Sequence, residues 1–359
     1  MADTHTAAPA RTGRARLADW IDERFGVSAL AYPVPRHANG LPYLLGGITA
    51  GSFVMLVATG IYLAQQYDPT TAEAHASVVQ ITASGLGGIV RNVHHWLATI
   101  FMVTLALHLL RTFLTASFKR PLEGLWLTGV GLFLLSGLVL YTGTILKADQ
   151  EAIEALEHNR ELASIAGWLG FWFSTGFSDH VSLLTRAYAA HVSILPALLG
   201  VGIGVHMLLI KRLKISPLAS GTPAQIEERA ATEPQEPFTR HLRRLGALTL
   251  GTLGVALLLT AIRPAGIGPE GIEGIEVTKP PWYFLWVYPF EDWFGLRALF
   301  VAPGLLMLGL AAVPFLDRGE ERDPRRRRGW VALAVVVVVL LAALSVYGFV
   351  SRPVSHVGA

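Results

Sequence analysis

The chain has 359 residues, 52% hydrophobic and only 15% charged, a balance that excludes a soluble domain and indicates an all-α integral membrane protein. The net charge of +3 is small, and the basic residues sit in short blocks beside apolar runs, so they read as topology signals and not as a nucleic-acid surface. Without cysteine the chain cannot form a disulfide, hold an iron–sulfur cluster through thiolates or carry a thioether-linked haem.

In chain order, residues 1–16 are small and polar, predicting a disordered tail, and they lack the apolar stretch of a signal peptide. Residues 17–30 set Leu17, Trp20, Ile21 and Phe25 against Asp19, Asp22, Glu23 and Arg24. That pattern predicts an amphipathic helix on the membrane surface, with a lid packed on protein as the alternative. Apolar spans follow at about 41–64, 88–113, 122–146, 184–211, 243–263, 297–316 and 329–350. The first four, within 31–215, predict a four-helix bundle; 216–240 is a linker; 241–359 carries three more spans and a Gly/Pro-rich, then aromatic loop at 264–295. Asp149–Gly176 is too polar to span and predicts surface helices between spans three and four. The last span is featureless and predicted to face lipid.

The charged loops give an orientation. Arg11, Arg14 and Arg16, then Lys119 and Arg120, then Lys211, Arg212, Lys214, Arg240, Arg243 and Arg244, then Arg325–Arg328 all fall on one side of seven spans. That side is expected to be cytoplasmic, with the N-terminus inside and the C-terminus outside. The opposite loops carry Asp68, Glu73, Glu151, Glu154, Glu270 and Glu273.

Imidazoles in hydrocarbon are costly and usually functional. The second span carries His94 and His108, 14 residues apart on one face, and the fourth carries His191 and His206, 15 apart. At ~1.5 Å per residue each pair is separated by roughly 21–23 Å along its helix. Two helices running the same way therefore present two stacked histidine pairs, His94 with His191 and His108 with His206. Neutral imidazoles are good axial ligands for haem iron, and two per iron leave no open position, so such groups carry electrons. Pro196 is expected to bend the fourth span and absorb the extra residue. Gly46 and Gly60 in span one, and Gly129 and Gly143 in span three, repeat the 14-residue interval and are expected to let a porphyrin edge meet the helix backbone. Arg91 and Arg186 beside the outer pair, and Arg111 and Lys119 beside the inner pair, are the candidate cations for haem propionates. His95 points elsewhere and reads as packing, while His37, His75, His158 and His180 have no evident role.

These motifs resemble cytochrome b of the quinol:cytochrome c reductases, especially the cytochrome b6 type fused to its companion subunit IV. The resemblance runs from about Asp19 to the seventh span and rests on DWIDERF, LGGIT…VATG, RNVHHW…HLLR, SFKRP, TG…YTG and LTRAYAAH…LPALL…H. It implies two non-covalent b-type haems, a low-potential one at His94 and His191 and a higher-potential one at His108 and His206. It also implies an outer quinol-oxidation site, an inner quinone-reduction site, a bacterial-type inner membrane location, a homodimeric complex, and an iron–sulfur protein and a c-type cytochrome as partners. Electron transfer across the field contributes about 2.3 kcal/mol per 100 mV.

Three departures from that pattern stand out. Leu44 occupies the position where a cysteine would attach a third haem, which excludes a covalent one. The outer-site motif Pro-Glu-Trp-Tyr reads Pro280-Pro281-Trp282-Tyr283, without its glutamate. The third span ends Leu146-Lys147-Ala148 in place of Leu-Pro-Trp. A quinol releases two protons on oxidation and needs acceptors within hydrogen-bond reach. Tyr283 and Glu276 are the catalytic candidates, with Glu270, Glu273, Glu291 and Asp292 nearby. The altered loop leaves open a non-bifurcating haem conduit to multihaem cytochromes or a dehydrogenase. A histidine proton-relay transporter is the reading from another class.

Overall fold

The computed structural model describes residues 13–354. The tail expected at 1–16 lies outside the described residues up to position 12, but Gly13 already begins a helix, α1 (Gly13–Phe25). Leu17, Trp20, Ile21 and Phe25 are all exposed there, so among the described residues none covers the apolar face.

Long apolar runs ended by glycine, proline and charged residues form the remaining helices. These are α2 (Leu41–Ala64), α3 (Ala74–Ala83), α4 (Gly85–Leu114), α5 (Glu123–Ile145), α6 (Gln150–Ala166), α7 (Leu183–Ala189), α8 (Leu195–Leu213), α9 (Pro223–Thr232), α10 (Phe238–Ile262), α11 (Tyr288–Phe294), α12 (Ala298–Leu316) and α13 (Arg328–Val350). A π-helical turn at Ala190–Ile194 joins α7 to α8 into one rod, Leu183–Leu213. Among the described residues, seven helices are long and apolar enough to cross a membrane: α2, α4, α5, the α7–α8 rod, α10, α12 and α13.

Helix α2 packs closely along α4, and α5 along α8, while α4 and α5 touch sparingly; α10 lies against α2 and α4, and α12 against α5. The first four spans are thus two tight pairs facing each other across a looser seam. Threonine and serine hydroxyls in these spans bond their own helix carbonyls, as at Thr49, Thr112 and Ser136.

The connecting segments gather at two ends. At one, Ser117 bonds Ser216 at 2.8 Å, Asp323 accepts from the Gly221 amide, and Arg322 donates to the Ala116 carbonyl. The segment expected as a plain linker holds α9 and a strand, β2 (Gln235–Pro237), paired antiparallel with β1 (Pro33–Pro35). His37 completes this end by bonding Glu233 at 2.7 Å and the Ser216 carbonyl. At the other end His75 bonds the Gly268 carbonyl and Thr185 that of Pro69. The basic loops therefore share one end and the acidic loops the other. The seventh span is not wholly featureless: Trp330, Leu344 and Gly348 pack inward, and a Cβ on Gly348 would sit 2.6 Å from the Leu285 carbonyl oxygen.

Candidate functional site

The four histidines project into the seam between the two helix pairs. His94 and His191 meet there with ring centres 6.4 Å apart and planes at 69°. Two imidazoles on opposite sides of one metal ion, each bonded at about 2 Å with its ring centre about 1 Å behind the nitrogen, place their centres roughly 6 Å apart.

The π-helical turn explains the 15-residue interval. It contains His191 and holds one residue more than an α-turn, so His206 stays in register with His108. The register is thus restored by a π-bulge at Ala190–Ile194, not by the bend expected at Pro196. Pro196, lacking an N–H, sits just after the bulge, where a regular α-ladder would need its donor.

The glycines and histidines match one to one. A Cβ added at Gly46 would lie 2.8 Å from His108, at Gly60 3.4 Å from His94, at Gly129 3.4 Å from His206 and at Gly143 2.7 Å from His191. Each of these glycines therefore clears the space of an imidazole.

Ring nitrogen Nδ1 is fixed in three of the four. His191 Nδ1 lies 3.0 Å from the Val139 carbonyl, which can only accept, so this nitrogen carries the proton. The Thr59 hydroxyl donates to its own helix carbonyls and so accepts from His94 Nδ1 at 2.8 Å; Thr128 does the same for His206 Nδ1 at 2.9 Å and Thr142 for His191 at 3.2 Å. With Nδ1 protonated, the lone pair is on Nε2, the form that ligates a metal. His108 is the exception: its Nδ1 is buried with no hydrogen-bond partner. The sequence signal for these threonines is the dipeptide Thr-Gly at 59–60, 128–129 and 142–143, whereas Gly46 follows Leu45. Neutral imidazoles, paired spacing and cleared backbone together fit bis-histidine haem.

The four expected propionate cations differ. Lys119 is a correction: it is buried in an ion cluster, bonded to Asp317 at 2.8 Å and to the carbonyls of Gly319 and Glu321, and is not free to meet a propionate. Arg91 donates instead to the carbonyls of Ala265 and Gly266, and Arg186 to those of Trp172 and Ser174. Arg111 stacks 3.6 Å over the Tyr43 ring and keeps Nε and Nη2 buried without partners. Two of its donors remain to be used, as does Nε of Arg186.

The loop at 264–295 is held by α6, which sequence reasoning placed only as a surface helix. Glu154 accepts from the Val277 and Thr278 amides and the Thr278 hydroxyl; Gln150 bonds Ile272 and Ile275; Asp149 accepts from the Gly268 amide. The motif Pro280-Pro281-Trp282-Tyr283 then turns, with the Phe284 amide bonding the Pro281 carbonyl, and leaves Trp282 half-exposed. Tyr283 Oη lies 3.2 Å from the Thr144 hydroxyl, and burial pushes this phenol up to about 12.

Glu276 does not stand beside Tyr283 as a separate acid. It and Glu291 share His158, with contacts of 3.2 and 2.9 Å to its Nε2. Burial opposes the charge of His158, but the two carboxylates and the Glu154 carbonyl outweigh it and raise the imidazole to about 10. His158 was thus missed, because nothing in its local sequence announces partners more than a hundred residues away. Glu273 pairs with Arg160 at the surface, and Glu270 is bridged to Asp149 through the backbone.

Comparison with known proteins follows the same lines. The family model described as cytochrome b(N-terminal)/b6/petB matches residues 99–269. The chain is 33% identical over 208 residues to cytochrome b6 of Heliomicrobium gestii, covering 55% of this chain and 98% of that protein. It is 34% identical over 210 residues to cytochrome b6 of Heliobacterium mobile, with the same coverage. A solved structure titled hyperthermophilic respiratory Complex III superposes with a TM-score of 0.79 at 25% identity, covering 93% of this chain and 92% of that one. With seven candidate spans and near-complete coverage of the b6 relatives, this multi-pass membrane protein belongs to the cytochrome b/b6 family.

Proposed function

We propose that this chain is the di-haem subunit of a bc-type quinol:cytochrome c oxidoreductase and carries electrons from quinol at the acidic-loop end to quinone at the basic-loop end. The observation that carries the reading is the Nδ1 arrangement: threonine or backbone oxygens take the Nδ1 proton of His94, His191 and His206, leaving Nε2 to bind. His94 with His191 would hold one haem and His108 with His206 the other, and each haem would supply one-electron transfer. Arg111 would meet a propionate at the inner haem.

The basic-loop end is cytoplasmic in this reading, so the N-terminus is inside and the C-terminus outside. Quinol would bind by Trp282 and Tyr283, and an iron–sulfur protein and a c-type cytochrome would be the partners, in a homodimeric complex. Support for such an assembly comes from the likeness to the solved Complex III chain. Pro281 favours one second reading, a conduit that passes electrons without bifurcation to multihaem cytochromes or a dehydrogenase.

The test is purification of the complex with its native partners, followed by a reduced-minus-oxidised spectrum, subunit identification and quinol oxidation assays. Two b-type haems per chain, an iron–sulfur subunit and turnover blocked by outer-site inhibitors are expected. Absence of b-type bands would overturn both redox readings. Haem bands with multihaem partners and no inhibitor-sensitive turnover would select the conduit.

A further inference from the structure

The outer loop lacks a glutamate at its motif's second position, yet quinol oxidation must still release protons to a group within reach. Most acidic side chains around the loop are already committed. Glu154 is saturated by the Val277 and Thr278 amides and the Thr278 hydroxyl, and Glu157 accepts from the Gly274 amide. Glu276 and Glu291 clamp His158, Glu273 faces Arg160, and Asp149 caps α6 and holds Gly268.

Glu151 differs. It sits in the first turn of α6, and Oε2 meets Lys147 Nζ at 2.5 Å. Its other oxygen, Oε1, is buried and has no hydrogen-bond partner. Its charge is felt by the Tyr283 phenol, and Lys147 lies one helical turn beyond Thr144, the residue bonded to Tyr283. Lys147 is itself one of the departures at the end of the third span. The two departures are thereby joined: the motif has lost a carboxylate at Pro281, and the turn opposite has gained an ammonium that keeps Glu151 in place.

We propose that Glu151, positioned by Lys147, accepts a quinol proton at the outer site in place of the missing motif glutamate. This rests on the quinol-oxidising reading above. One quinol O–H would break, its proton passing to Glu151 Oε1 and one electron to the haem that His94 and His191 would hold, while the second O–H would give up its proton and electron to the iron–sulfur partner named there, leaving quinone. Glu151 then returns its proton to the aqueous phase at the loop surface, where its side chain is 24% exposed.

The charged and titratable groups facing Glu151 are Lys147 and Asp149 on the preceding turn, Glu154 one turn on and Tyr283 from the loop. Arg91 acts on Asp149 from α4, and His95 on Lys147. Burial raises the Glu151 carboxyl, Lys147 opposes that, and Asp149 and Glu154 add to it. Because the carboxylate is the accepting form, turnover falls on the acid side as Glu151 protonates. Losing Lys147 lifts that limb to higher pH.

The test uses the purified complex with E151Q, E151D and K147M. E151Q is expected to lower kcat about 100-fold with KM nearly unchanged, and E151D to restore roughly a tenth of the activity. K147M is expected to move the acid limb up by about one pH unit or more. A redox-induced infrared difference spectrum should contain a carboxyl C=O band that E151Q removes. Haem spectra of the variants verify assembly. Wild-type turnover and pH profile in an assembled E151Q complex would overturn the proposal while leaving the quinol reading intact. An assembled wild-type complex that oxidises no quinol would instead remove the reading on which it rests.

Discussion

Gly143→Ala is the sharpest test of the histidine seam. A Cβ there would lie 2.7 Å from His191 Cε1. Carbon atoms need about 3.5 Å or more, so the ring would have to retreat by roughly 0.8 Å. His191 is poorly placed to do so, because Nδ1 is tied to Val139 and Thr142 and the helix behind it is fixed by the π-turn. Overpacking of this kind costs about 1–3 kcal/mol, which translates into roughly 5–150-fold weaker haem retention at the outer pair. Gly60→Ala and Gly129→Ala, where the distance is 3.4 Å, should be nearly neutral. Gly46→Ala should fall between, since the clash is 2.8 Å but His108 Nδ1 holds the ring to nothing. The assay is haem content and redox titration of the four purified variants. Equal haem content and unchanged potentials in Gly143→Ala and Gly60→Ala would refute the assignment of these glycines to imidazole clearance.

Thr128→Val should weaken inner-haem retention about 10-fold by freeing His206 Nδ1; conversely, Leu45→Thr, beside Gly46, should lower the inner-haem potential if its hydroxyl accepts from His108, and both are read by spectroelectrochemistry. Because the folded value of His158 is raised from 6.5 to about 10, its ion cluster contributes stability that is complete below about pH 6.5 and lost as pH rises through 10. Thermal melts of the solubilised complex should therefore decline on the alkaline side, and His158→Leu should flatten that decline. Asp317→Asn should destabilise by about 3–5 kcal/mol by leaving Lys119 and Arg327 buried without their shared carboxylate, seen as a lower melting temperature; an unchanged melt would mean that both cations reach water.

Local periodicity and composition encode the spans and the faces their side chains occupy. Seven spans, a two-by-two set of histidines and a two-by-two set of glycines follow from hydropathy and from intervals of 14 and 15 residues, because an α-helix converts spacing directly into face and height. The Thr-Gly dipeptides were equally visible, but their meaning depends on which ring each hydroxyl meets. The tertiary structure decided the partners of charged groups. Lys119 lies beside a span end like any propionate cation, yet Asp317, almost two hundred residues on, claims it. His158 is silent in sequence because Glu276 and Glu291 reach it from another loop. The π-turn at His191 was likewise hidden: a spacing of 15 announces that one residue must be absorbed, but only the backbone hydrogen bonds reveal where. Local patterns fix where a side chain stands on its own helix; long-range packing fixes what it touches, and the chemistry at the outer loop depends on the latter.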